Sequence, residues 1–151
     1  MKEETLQGQC QAETVVVEHS GVEHVGWHGQ HIATIIRSDY QPKSTTFVTP
    51  DSYYQQAGLV VYPAGGQVPR HLHLPLQRHL VGTPEAILVR KGVVDADLYG
   101  LDKEFLTTVT LYEGDIILLV AGGHSFRFRE DSVLFEIKQG PFTGLKEKEL
   151  F

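Results

Sequence analysis

The chain has 151 residues, a formal net charge of −6 and 41% hydrophobic residues, enough for one domain with a core of its own. The acidic balance leaves no basic face for DNA or RNA, so nucleic acid is not an expected partner. Cys10 is the only cysteine and forms no intrachain disulfide; the polar, acidic opening MKEETLQGQCQAETVVVEHSG does not read as a secretory leader; and the longest apolar run, Ile116 to Ala121, is far too short for a bilayer, so a cytoplasmic protein without membrane contact is expected.

Helical periodicity is scarce. Short runs rich in Val, Ile, Leu, Tyr and Phe recur instead, punctuated by fifteen glycines and seven prolines, which is the pattern of strands and turns. In chain order, HIATIIRSDY (residues 31–40) reads as a strand within an N-terminal stretch expected to hold one or two strands. TPDSYYQQ (49–56) could make one helical turn, leading into AGLVVYPA. QVPRHLHLP (67–75) is a strand by alternation, and EAILVRKG (85–92) is a strand closed by a glycine turn. VVDADLYG and FLTTVTLYEGD form a strand pair around the turn GLDKE. DIILLVAGG is a buried strand, HSFRFRE alternates strictly, and SVLFEIKQG closes the set. No helices alternate with these strands, so the expectation is an all-β sandwich or barrel rather than a doubly wound sheet. The organisation expected is an N-terminal extension over 1–48 packing on a barrel over 49–140, with a polar tail over 141–151 lying across its surface or fraying.

The chemistry concentrates in histidines. Alternation along a strand puts His71 and His73 on one face, roughly 7 Å apart, and Leu72 and Leu74 on the other. Two imidazoles so placed can converge on one metal ion, which needs further ligands from elsewhere. Glu85, at the start of the next strand, could reach the same point. His124 follows Gly122 and Gly123, which let the backbone come close.

These residues resemble the two motifs of the cupins. Gly65 is followed by five residues and then His71-Leu72-His73; Glu85 is followed by six residues and then Gly92. The eleven residues between His73 and Glu85 are a longer gap than the family's, leaving LPLQRHLVGTP as an extended loop at the mouth. In the second motif Gly114 precedes Val120-Ala121-Gly122 and His124, with valine in place of the family's proline and one residue fewer. The resemblance covers roughly residues 53–140 and is closest to small single-domain bacterial cupins found near surface-polysaccharide biosynthesis genes. It implies a double-stranded β-helix, the cupin jelly-roll barrel, with a mononuclear metal held by His71, His73, Glu85 and His124. Zinc, iron, manganese, nickel and copper all suit such a set, and open coordination positions would let the ion act as a Lewis acid or activate bound oxygen. His79 is chemically a fair ligand that could replace or join Glu85, whereas Gln77, at the usual spacing, is a poor one.

Other candidates have plainer readings beside the functional one. Tyr62, Arg78 and Lys138, with Arg70, could bind a substrate anion, although surface charge is the commoner fate of such residues; Arg78 and His79 could line the mouth. Phe126 shares a face with His124 and Phe128, where core packing is the simpler role. Glu136 and Lys138 share one face of their strand, with Phe135 and Ile137 on the other, and become an acid/base or binding pair only if the polar face is the inner one. His19, His24, His28 and His31 suggest a second site, but glycines at 21, 26 and 29 disfavour a helix there, so solvated loop or strand residues are expected. Two functions stay open: a metal-dependent dioxygenase, isomerase or lyase acting on a small polar ligand such as a sugar derivative or organic acid, or a non-catalytic sugar- or metal-binding accessory module. A homodimer is expected, with HIATIIR either joining a neighbour's sheet or completing its own.

Overall fold

The computed structural model describes residues 14–19 and 21–151. Among the described residues there are eleven strands: β1 Thr14–His19, β2 Val22–Trp27, β3 Gln30–Ile36, β4 Thr46–Phe47, β5 Gly58–Leu59, β6 Glu85–Lys91, β7 Val94–Tyr99, β8 Phe105–Leu111, β9 Ile116–Leu119, β10 Gly123–Phe128 and β11 Val133–Lys138. They pair antiparallel into a six-stranded sheet ordered β1-β2-β3-β9-β6-β11, a three-stranded sheet β10-β7-β8, and the small pair β4-β5. No α-helix occurs among the described residues, and no helix is long and apolar enough to cross a membrane. The chain is therefore all-β, as its punctuation by turns predicts.

One core joins the two larger sheets. Val25, Ala33, Ile35, Ile87, Val89, Ile117 and Leu119 come from the six-stranded sheet, and Val94, Ala96, Leu98, Val109 and Leu111 from the three-stranded one. Cross-strand partners share a face, so the row Ala33–Leu119–Glu85–Lys138 and the row Ile35–Ile117–Ile87–Glu136 both point inward. Thr34, Leu118, Ala86 and Ile137 point outward. The polar pair of β11 thus lies on the inner face, while Phe135 and Ile137 are half exposed on the outer one.

β7 shows how a central strand can carry acids. Val94, Ala96 and Leu98 enter the core, and the alternate Asp95 and Asp97 are buried on the opposite face. Arg127 and Arg129 of the β10 side donate to Asp97 and Asp95 at 2.9 Å, and Thr108 and Thr110 of β8 donate from the other flank at 2.6 and 2.8 Å. Each carboxylate is held below its usual pKa, first by its arginine and then by its threonine.

The sheets are joined at one corner by an ion-pair clamp. Asp115, 2% exposed, sits in the turn between β8 and β9. It accepts from Arg37 Nη1 at 2.8 Å, from the Ser38 backbone N–H at 2.8 Å and from the Tyr112 N–H at 3.1 Å. Arg37 also donates to Glu23 of β2 at 2.5 Å and to the Thr110 carbonyl of β8 at 2.9 Å.

Several expectations need correction. Residues 67–75 are not a strand: the whole stretch from Val60 to Thr83 is exposed and without regular structure. Alternation alone makes no ladder without a partner, and prolines at 63, 69, 75 and 84 remove donors that a paired strand would use. TPDSYYQQ makes a turn closed by Tyr53 N–H to Pro50 O at 3.0 Å, not a helical turn, and only Gly58–Leu59 of the following run is strand. The described residues up to position 45 hold three strands, not one or two. β3 pairs with β9 of its own chain, and β2 and β3 supply core residues. After the 3-10 turn Gly144–Glu147, Phe151 meets Tyr99 edge-on at 5.3 Å and Lys103 pairs with Glu149 at 2.7 Å.

Replacing Asp115 by Ala should lower stability by about 2 kcal/mol, since it removes one of the two carboxylates paired with Arg37 and leaves the Ser38 and Tyr112 backbone donors unsatisfied. Urea denaturation would measure this, and a loss below about 1 kcal/mol would mean that water replaces the carboxylate without strain.

Candidate functional site

At the end of the inner face four polar side chains gather. Glu85 is the first residue of β6 and lies in the row of Leu119 and Ala33, so the sheet buries it to 6% exposure. Its Oε2 is 3.3 Å from Nε2 of His124 on β10, and its Oε1 is 3.7 Å from Nζ of Lys138 on β11. Lys138 also meets Glu136 at 2.5 Å. The Glu85 pKa is lowered, chiefly by the His124 contact, against the opposing effect of burial and with help from Lys138. The Lys138 pKa is raised, first by Glu136. The result is an ionised carboxylate reached from both sheets.

His124 gets there through a backbone device. Gly122 has φ +73°, and a Cβ at this position would collide with the Tyr99 carbonyl. Glycine therefore lets the chain turn tightly out of β9 and start β10 beside β7, with His124 and Phe126 on the inner side. Their ring centroids are 5.6 Å apart, and Phe126 packs against the core, its simpler expected role.

The histidine pair of the first motif lies elsewhere. His71 and His73 are exposed on the 60–83 segment, with ring centroids 5.2 Å apart, and His71 Nδ1 donates to the Pro69 carbonyl at 2.8 Å. Among the described residues no three His, Cys, Asp or Glu side chains converge as a metal group. The four expected ligands are thus present as two pairs, Glu85–His124 inside and His71–His73 outside. Tyr62, Arg78 and His79 are exposed on the same segment, without a hydrogen bond or ion pair to another described residue.

A second polar chain escaped the sequence reading. In the β2–β3 ladder Val25 faces Ala33 and Gly26 faces His31, so Ile32 is an extra residue. This β-bulge lets Ile32 enter the core while His31 turns outward beside Thr34. His31 Nε2 is 3.0 Å from the Ala33 carbonyl and 2.8 Å from Thr34 Oγ1; Thr34 Oγ1 is 3.0 Å from His24 Nδ1; His31 Nδ1 is 2.9 Å from the Tyr53 hydroxyl. A carbonyl only accepts, so Nε2 carries the proton and Tyr53 donates to Nδ1. Burial lowers the His31 pKa, partly countered by the Ala33 carbonyl, and burial raises that of Tyr53. His24 and His31 are therefore half-buried and engaged rather than solvated, while His28 is exposed in the β2–β3 turn; the side chain of His19 lies outside the described residues. No periodicity could have revealed the chain, because it depends on one extra residue in a ladder.

Compared with known protein families, curated proteins and solved structures, the chain matches none.

Two pH effects follow. Glu85→Gln should cost about 1–2 kcal/mol at neutral pH. Because the folded pKa of Glu85 is lowered, its contribution is complete above the unfolded value of about 4.5 and is lost as pH falls through the folded one, so the two proteins should converge in acid. His31 has the opposite titration chemistry: below about pH 6.5 the unfolded chain takes up a proton that the folded site resists, so stability falls with acid. Urea midpoints between about pH 7 and 5 should therefore drop more steeply for the natural chain than for His31→Gln, and parallel slopes would refute the buried neutral imidazole.

Proposed function

We propose that the chain is a metal-binding cupin that takes one divalent first-row metal on Glu85, His124, His71 and His73 and acts on, or binds, a small polar ligand such as a sugar derivative or organic acid. The observation carrying this reading is the Glu85–His124 contact, made by strands of two different sheets at an end of the core that remains open to solvent. A carboxylate with three imidazoles fits zinc, iron, manganese, nickel or copper.

The open edge of β10 supplies a place for the missing pair. Among the described residues β10 pairs with β7 on one side only, and an unpaired edge accepts an added strand through its backbone groups. Residues 67–75 alternate as a strand should, and pairing there would give the smaller sheet a fourth strand and the fold its jelly-roll form. His71 and His73 would then share a sheet with His124. When bound, the metal supplies Lewis-acid polarisation or activation of a bound oxygen ligand. The chain's own contribution is Lys138, a cation on the inner face that can hold an anionic group of the ligand, and Glu136, which keeps that ammonium charged and oriented. This charged pair favours a site that orients an anionic ligand for reaction over a barrel walled by apolar residues alone.

Metal analysis by inductively coupled plasma mass spectrometry, on protein purified without an affinity tag, should find about one equivalent of a transition metal per chain. His71→Ala/His73→Ala should lose most of it, and so should His124→Ala. Absence of metal after incubation with each of the divalent ions would overturn the proposal.

A further inference from the structure

On the outer face of the six-stranded sheet, opposite Glu85, lies a cavity of about 260 Å³. Its floor is Leu118 and Val120, with Pro84 and Gln139 beside them; the 49–55 segment and Leu80–Gly82 roof it. All four floor residues continue the outward rows of β9, β6 and β11 by alternation. No charged side chain lines the cavity. Its polar groups are hydroxyls and amides, and Ser52, Gln55 and Gln139 bond to no other described residue. One wall is Tyr53, the end of the His24–Thr34–His31 chain.

The geometry points to a second ligand site here, for a small neutral molecule of about one ring that carries a hydrogen-bond donor, such as a phenol or a cyclic alcohol. Volume sets the size: the space lies just below the usual range for ligand pockets, so one ring suits it. The apolar floor and the missing cation set the charge, since a carboxylate would lose its water without gaining a partner. Tyr53 sets the polarity. Its proton is committed to His31 Nδ1, whose other nitrogen is fixed as a donor by the Ala33 carbonyl. The phenolic oxygen keeps its acceptor capacity, and the chain behind it polarises that oxygen toward an incoming O–H. A ligand that only accepts gains nothing from this wall. The site shares no side chain with the metal set, and a chain that binds no metal would keep it.

The test is ligand-observed NMR titration of the full chain with three probes of one size: phenol, anisole and benzoate. Phenol should bind at least about fivefold more tightly than anisole, the difference of one hydrogen bond, and benzoate should not compete with it. Tyr53→Phe should remove phenol's advantage over anisole. Val81→Trp, at a rim position 77% exposed and so outside the core, should block both, with circular dichroism confirming an intact fold. Equal binding of phenol and anisole by the natural chain, absence of phenol binding, or phenol binding that survives both substitutions would overturn the inference.

Discussion

The clamp of Arg37 and Asp115 is the constraint on which the two sheets depend. An aspartate almost wholly removed from water is stable only when its oxygens are all engaged, and here the partners come from three directions: the end of β3, the turn after β8 and, through Arg37, strands β2 and β8. The six-stranded and three-stranded layers are thereby fixed in relative position at one corner. At that corner the backbone of Val89 also bonds to Gly114 and Asp115, at 2.8 and 3.0 Å, so β6 is set in height against the same turn. Placing β6 places Glu85 at its far end.

From that placement the sheet acquires two unlike faces. Inward, the row that begins at Ala33 runs through Glu85 to Lys138 and the row that begins at Ile35 ends on Glu136, so an apolar core grades into a charged cluster without leaving the ladder. Outward, the same strands offer Leu118 and neighbouring apolar residues, and the bulge at Ile32 adds His31 to this side. A single inserted residue therefore separates a core isoleucine from a polar relay, and leaves the sheet with two chemically distinct faces.

The 60–83 segment is exposed along its whole length. It exposes Leu72, Leu74 and Leu76 at 75%, 78% and 68%, an apolar stripe that a solvated loop has no reason to keep. Its prolines discourage a strand that stands alone, while its alternation suits one that is given an edge. Val81, at its end, roofs the outer cavity, and its histidines are the two that the proposed metal set would draw in. A movement of this one segment would bear on both the outer cavity and the proposed metal set.

Composition and local pattern determined the class of fold: the spacing of glycine, proline and β-branched runs is a short-range property, and the strands from Glu85 to Lys138 stand where alternation puts them. The resemblance to the cupin motifs named Glu85 and His124 among four expected ligands, and alternation placed Glu136 and Lys138 on one face. Only the tertiary structure decided that this face is the inner one, that β2 and β3 build the core, and that His71 and His73 stand apart from the other two candidates. These facts rest on register and on which strand edge is left unpaired. Both are set by contacts between distant residues, the ladder of β3 with β9 and the clamp across the sheets, and no local window of sequence contains them.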